Sequence, residues 1–282
     1  MYVELSVAGI PICGYYKYSW AERLVAFEFT RCNRRKPHSL IFIGGLSDGL
    51  GTVEYMADLV VALQNSEWSM LLLVLSSSYN GWGVGRLGKD IDEIAQCVQY
   101  VVIIGHSTGS QDVMHCPNPR PRYPVLDTEF EPLTRSPVNG AIIQAPVSDR
   151  ENSPETMREL YCQAVTDAKR NTYKDGDTIE TILPLSMTAR IGYPSATAVS
   201  SRRFLSLASP GSPHQPDEDD LFSSDLNRFV PPRVDKQLLL KRMIIPNASH
   251  APSDWDQAEP RRILVERVTE YLDEVTKTGW RF

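Results

Sequence analysis

Residues 101–109, Val-Val-Ile-Ile-Gly-His-Ser-Thr-Gly, constrain this chain more than any other stretch. Four apolar residues, all of them β-branched, read as a short buried strand. Gly105 to Gly109 then fit G-x-S-x-G, the pattern that puts a serine on a sharp strand-to-helix turn. Glycine is needed at both ends of that turn because backbone passes close to backbone, where a Cβ would clash. Gln111 to Met114 can continue as a helix, whose N-terminal dipole favours negative charge near Ser107. The pattern alone is weak; the strand before it and the helix after it are the context it requires.

Strands and helices alternate around this point. Tyr2–Val7 and Leu24–Phe29 read as an N-terminal antiparallel edge, and residues 39–43 as a stronger strand running into Gly44-Gly45-Leu46-Ser47-Asp48-Gly49. Val53, Met56, Leu59, Val60 and Leu63 recur at helical spacing, residues 70–75 are a fully apolar strand, and Ile91, Ile94, Ala95 and Val98 mark a helix over 90–100. Residues 141–144 and Met243-Ile244-Ile245 are further strands, and Ile263, Leu264, Val268 and Leu272 line a final helix over 259–276. Strands apolar on both faces, alternating with helices, mean a mostly parallel sheet flanked by helices: the α/β-hydrolase fold, expected as one domain over 1–282. Residues 151–210 turn mainly helical, with Pro184 and Pro194 as breaks, and are expected to form a lid inserted into that domain. Residues 208–220, rich in Pro, Ser and Asp, read as an exposed loop.

A serine at its free pKa is a poor nucleophile and needs a base. In this fold the partners follow in the order serine, acid, histidine. His250 alone among the histidines after Ser107 directly follows a strand-like run, so it is the candidate base. His106 precedes the nucleophile and should point away from the attack face; His38, His115 and His214 receive no role. For the oxyanion, the candidate donors are the backbone N–H groups of Thr108 and Leu46, the latter on the glycine-rich exit of an earlier strand. Gly45, Tyr79 and Trp82 are the candidates for substrate contact; for the two aromatics the alternative is packing against the lid. The chemistry calls for no metal or other cofactor.

Gly44 to Thr52 (GGLSDGLGT), Ser76 to Gly83 (SSSYNGWG), Gly105 to Met114 (GHSTGSQDVM) and Gln144 to Arg150 (QAPVSDR) together resemble a fungal α/β-hydrolase family. That family was long catalogued only as a domain of unknown function and includes esterases acting on fusarinine-type siderophores. The resemblance spans most of the chain and implies a small-molecule ester substrate, a ferric hydroxamate siderophore, opened inside the cell so that iron is released. It also leads one to expect an aspartate just before Phe-Val-Pro. Here Phe229-Val230-Pro231 is present, but Asn227 stands two residues before it. Asp225 is the nominal acid, with Asp235 and Asp254 as further candidates, although Asp254 follows His250 and breaks the expected order. Two joints look short, at Tyr100 to Val101 and at Lys241 to Met243, which raises the expectation that segments are missing, including the strand that would bear the acid.

Other classes fit less well. A net charge of −6 with no long basic run argues against a nucleic-acid surface. No apolar run approaches a membrane span and no leader pattern opens the chain. The cysteines, odd in number at 5 and without a C-x-x-C pair, read as reduced thiols, so a cytoplasmic protein is expected. Three functions stand: a serine esterase; another lipase, amidase or acyltransferase of the same fold; or a non-catalytic binding protein if the acid is truly absent.

Overall fold

A computed structural model describes residues 2–7, 10–19, 24–29, 36–97, 101–115, 138–146, most of 159–167, 181–208 and 243–278. Its strands are β1 (Tyr2–Val7), β2 (Ile10–Ser19), β3 (Leu24–Phe29), β4 (His38–Ile43), β5 (Trp68–Val74), β6 (Val101–His106) and β7 (Gly140–Gln144). The helices are α1 (Tyr55–Leu63), α2 (Leu87–Ala95), α3 (Gly109–His115), α4 (Leu185–Thr188), α5 (Ser201–Ala208) and α6 (Ala258–Thr278).

The strands form one seven-stranded sheet in the order β1-β2-β3-β5-β4-β6-β7. Strands β5, β4, β6 and β7 are parallel, while β1, β2 and β3 add an antiparallel flank. The N-terminal edge therefore has an extra strand, β2, that the sequence did not announce. Pro11 and Gly14 inside it are residues that normally argue against a strand.

The apolar runs of the central strands are explained by what lies on each face. Leu40, Phe42, Met70, Leu72, Val102 and Ile104 point into one core with residues of α1 and α6. Their neighbours Ile41, Ile43, Leu71, Leu73 and Ile103 point the other way, to Ile94 of α2 and Val113 of α3. Because side chains alternate along a strand, a strand buried on both faces must be apolar at every position. Each fully buried large side chain contributes about 1.5–3 kcal/mol, against about 0.5–1.5 kcal/mol for a typical hydrogen bond. The two apolar layers thus hold the sheet, and polar groups at its rim are left to set geometry.

Three local expectations change. Met243–Ile245 is not a strand: Met243 and Ile244 are 46% and 74% exposed, and no ladder holds them. An apolar triplet specifies a strand only where a sheet edge receives it. Helix α2 stops at Ala95, so five residues separate it from β6, an ordinary connection. In the expected lid, Pro184 starts α4 instead of breaking a helix, Ile182 and Ser200 form an antiparallel bridge, and α5 begins only at Ser201. These segments, with Leu160 and Ala164, build a third apolar cluster around Trp82.

Candidate active site

Among the described residues, five other than glycine adopt positive φ: Ser47, Tyr79, Ser107, Ala145 and Asn247. The first four follow the C-terminal ends of β4, β5, β6 and β7, and Asn247 lies on the His250 loop. Backbone strain of this kind costs about 1–3 kcal/mol per residue and clusters where function requires it. In open parallel sheets that place is the carboxyl edge of the strands.

Ser107 is the sharpest case, with φ of 54° between β6 and α3. Its N–H donates to Gln144 O at 3.0 Å, and its carbonyl accepts from Ser110 N–H at 3.1 Å. The glycines around it are required by contact. A Cβ on Gly105 would lie 2.3 Å from Gly109 O, and one on Gly109 would lie 2.4 Å from Gly44 O. A Cβ on Gly45 would stand 2.7 Å from Ser107 Cβ and 3.3 Å from its Oγ. The exit loop of β4 therefore passes directly against Ser107, the candidate nucleophile.

Asp48 shapes that loop. Its Oδ2 accepts Gly45 N–H at 2.7 Å, its own N–H donates to Gly45 O at 3.1 Å, and Thr52 Oγ1 donates to its Oδ1 at 3.1 Å. Tyr79 and Trp82 brace the loop from the β5 side. Tyr79 OH accepts Leu50 N–H at 2.9 Å, and Trp82 Nε1 donates to Ser47 Oγ at 3.1 Å. Trp82 is only 2% exposed, packed edge-on to Tyr193 inside the third cluster, whereas Tyr79 is 45% exposed. Leu46 packs its side chain on the same cluster. Among the described residues, neither Leu46 N–H nor Thr108 N–H donates to another protein group. An unpartnered donor following the serine in sequence and another on the loop that packs against it match what an oxyanion site requires.

His250 lies on the loop before α6, its ring 5.0 Å from that of His106 between centroids. Partial burial of the ring, and then the neighbouring His106, hold its imidazole below the ordinary range, with Asp48 pulling the other way. Among the described residues no hydrogen bond joins His250 to Ser107 Oγ, a bond that in unliganded enzymes often tightens only with substrate. Asp225 and Asp235 lie outside the described residues, as does His214. Asp254 is described, and no hydrogen bond or ion pair joins its carboxylate to His250.

The lowered pKa has a direct consequence. A base must be neutral to accept a proton, so activity should persist as pH falls until His250 protonates. The acid limb of kcat/KM is expected below the ordinary imidazole value of about 6.5. Asp48→Asn removes the charge that favours imidazolium and should move that limb to lower pH still, whatever it does to the maximal rate. A pH–rate profile in which the limb moves upward would count against this electrostatic reading.

Sequence reasoning missed a polar cluster next to Ser107. His106 is 4% exposed; its Nδ1 bonds Gln144 Oε1, and its Nε2 lies 3.9 Å from Asp48 Oδ2. It does not simply turn away from the site, because its ring also faces His250. Tyr55 OH donates to Gln144 Oε1 at 3.1 Å, and burial, with Asp48, pushes that phenol well above its ordinary range. These partners are 38 and 89 residues apart in the chain, so no local pattern signals them.

Comparison with known proteins places this geometry. The profile of a family described as a protein of unknown function (DUF1749) matches residues 13–231. The chain is 42% identical to Esterase AN6793 of Emericella nidulans, with 92% of each chain covered. It is 41% identical to Fusarinine C esterase sidJ of Aspergillus fumigatus, covering 92% of this chain and 95% of the relative. Among solved structures, the siderophore hydrolase EstB from Aspergillus fumigatus is 38% identical, with a TM-score of 0.69 over 94% of this chain and 98% of its own. The alignments to the two esterases run over 344 and 338 residues, yet 92% of 282 is only about 259. About 80 positions within the relatives therefore have no counterpart in this chain.

Proposed function

We propose that this chain, which belongs to the DUF1749 family of the α/β-hydrolase fold, is a serine esterase acting on a small ester of the hydroxamate-siderophore class. The observation that carries the reading is Ser107 held in a left-handed turn against Gly45, with the N–H groups of Leu46 and Thr108 unpartnered among the described residues. Ser107 Oγ attacks the ester carbonyl while His250 takes its proton. The two N–H groups receive the developing oxyanion, at about 10²–10³ in rate for each donor lost. The C–O bond to the alcohol breaks, and His250 returns the proton to that leaving oxygen. Water, activated by the same imidazole, then attacks the acyl-enzyme, and Ser107 leaves with its proton restored.

The nominal carboxylate is Asp225, whose role would be to orient His250 and to stabilise its charged form. Residues 151–210 serve as a lid, a reading supported by the apolar cluster in which described residues of this range, Leu160, Ala164, Leu183 and Phe204 among them, pack with Trp82 and Leu46. The relatives named for fusarinine C and siderophore hydrolysis support the substrate class. Uneven cysteine number and absent pairing motifs support a reducing compartment, the cytoplasm. Among the described residues no helix is long and apolar enough to cross a membrane.

The test compares iron-loaded and iron-free fusarinine-type esters with simple acyl esters and amides, following products by mass spectrometry. The expected result is cleavage of the siderophore ester at the ester carbonyl, together with fluorophosphonate labelling of Ser107. Cleavage of simple esters alone would retain the esterase and overturn the siderophore. No turnover and no labelling would leave a binding protein.

A further inference from the structure

Gln144 ends β7 directly opposite His106 in the parallel register. We propose that it is a positioning residue that ties the nucleophile turn to the base loop, an inference that rests on the assignment of Ser107 and His250 made above. Its backbone carbonyl accepts Ser107 N–H at 3.0 Å. Its side-chain Nε2 donates to the backbone carbonyl of His250 at 3.1 Å, across 106 residues of sequence. Its Oε1 accepts from Tyr55 OH and bonds His106 Nδ1.

Only one orientation of this amide satisfies all its neighbours. Turned over, its NH₂ would face the His106 nitrogen and the Tyr55 hydroxyl, while its oxygen would face the oxygen of His250. In the orientation described, Oε1 can only accept, so His106 carries its hydrogen on Nδ1; that tautomer is assigned from the partners. The raised pKa of Tyr55 keeps its hydroxyl protonated as the second donor. The amide is thus pinned at one end by two donors and presents its own donor to the base loop.

Among the described residues, the other side chains that anchor that loop from outside it, Gln257 and Arg261, come from its C-terminal side. Gln257 accepts Ser249 N–H at 2.7 Å and donates to Asn247 O at 3.2 Å. Arg261 Nη1 donates to the carbonyls of Pro252, Ser253 and Asp254. They fix the loop to α6 and the segment just before it. Gln144 fixes it to the strand end beside Ser107. Without it the loop keeps its fold but not its register with Ser107, and a misplacement of about 1 Å can cost about 10²-fold in rate.

The experiment measures kcat, KM and pH profile of Gln144→Met and Gln144→Glu on an ester the wild type turns over, with Ser107→Ala alongside. Gln144→Met should lower kcat by about 10–100-fold with KM within about twofold, and should leave the acid limb of the pH profile near its wild-type position. Gln144→Glu keeps both acceptor contacts but sets an anionic oxygen against the His250 carbonyl. It should lose kcat to a similar extent and raise the acid limb, because its charge favours imidazolium on the neighbouring histidines. If Gln144→Met fails to fold, the isosteric Gln144→Glu carries the test by its kcat and pH shift. Ser107-dependent turnover with both variants at wild-type kcat would overturn the proposal alone. Undiminished turnover by Ser107→Ala would overturn the assignment beneath it as well.

Discussion

Ser107→Ala is expected to reduce ester turnover by about 10⁴–10⁶-fold, with His250→Ala costing a similar amount and the double variant little more than either alone. The non-additivity is the informative part. A nucleophile and its base act in one step, so removing either removes the step, and what survives comes from the oxyanion donors and substrate binding. Steady-state kcat of the three variants on one ester decides it. If the two losses multiplied in the double variant, Ser107 and His250 would be acting in separate steps. If His250→Ala stayed within about tenfold of wild type, the base would have to be sought elsewhere.

Gly105→Ala should be the most damaging small change to the fold near the site. The added Cβ would meet Gly109 O at 2.3 Å, Gly109 C at 2.6 Å and Ser110 N at 2.7 Å, all of them backbone atoms. No rotamer change relieves such a contact, so the elbow must open. A loss of about 3–5 kcal/mol is expected, enough to leave little soluble protein of ordinary stability. Gly88→Ala is the control. Gly88 lies inside α2 with open space where its Cβ would go, and there the same substitution should stabilise by about 0.5–1 kcal/mol. Urea midpoints of the two variants should move in opposite directions. Equal midpoints would show that β6 and α3 do not approach as closely as described.

The fold was legible where burial is two-sided. Residues 70–75 and 101–104 are apolar at every position because helices cover both faces of β5 and β6, whereas a strand wet on one face would alternate apolar with polar residues. It was less legible at the edges. β2 was obscured by Pro11 and Gly14, and Met243–Ile245 has strand composition without a strand partner. The short joint expected before Val101 disappeared because α2 ends at Ala95, before the point its apolar spacing implied. About 80 positions of the esterase relatives have no counterpart in this chain, and the acid expected near Asp225 lies outside the described residues.

At the active site the division follows the range of the interactions. Ser107 and Gly105 could be read from the sequence because the turn is a local object: a Cβ on Gly105 would meet the backbone of Gly109 and Ser110, whereas Gly109 is required by the distant backbone of Ile43 and Gly44. The order of serine before histidine is the one expected of the fold, although the run Met243–Ile245 by which His250 was chosen forms no strand. The surroundings of His250 were not readable. Its ring faces His106, its carbonyl is held by Gln144, and Gln144 is held in turn by Tyr55 and His106. Those groups lie on β6, β7, α1 and the loop before α6, and they meet because the sheet sets β6 beside β7 and packs α1 and α6 on one face. Hydrogen bonds between groups so distant in sequence are selected by tertiary packing, which leaves no periodicity behind in the residues that make them.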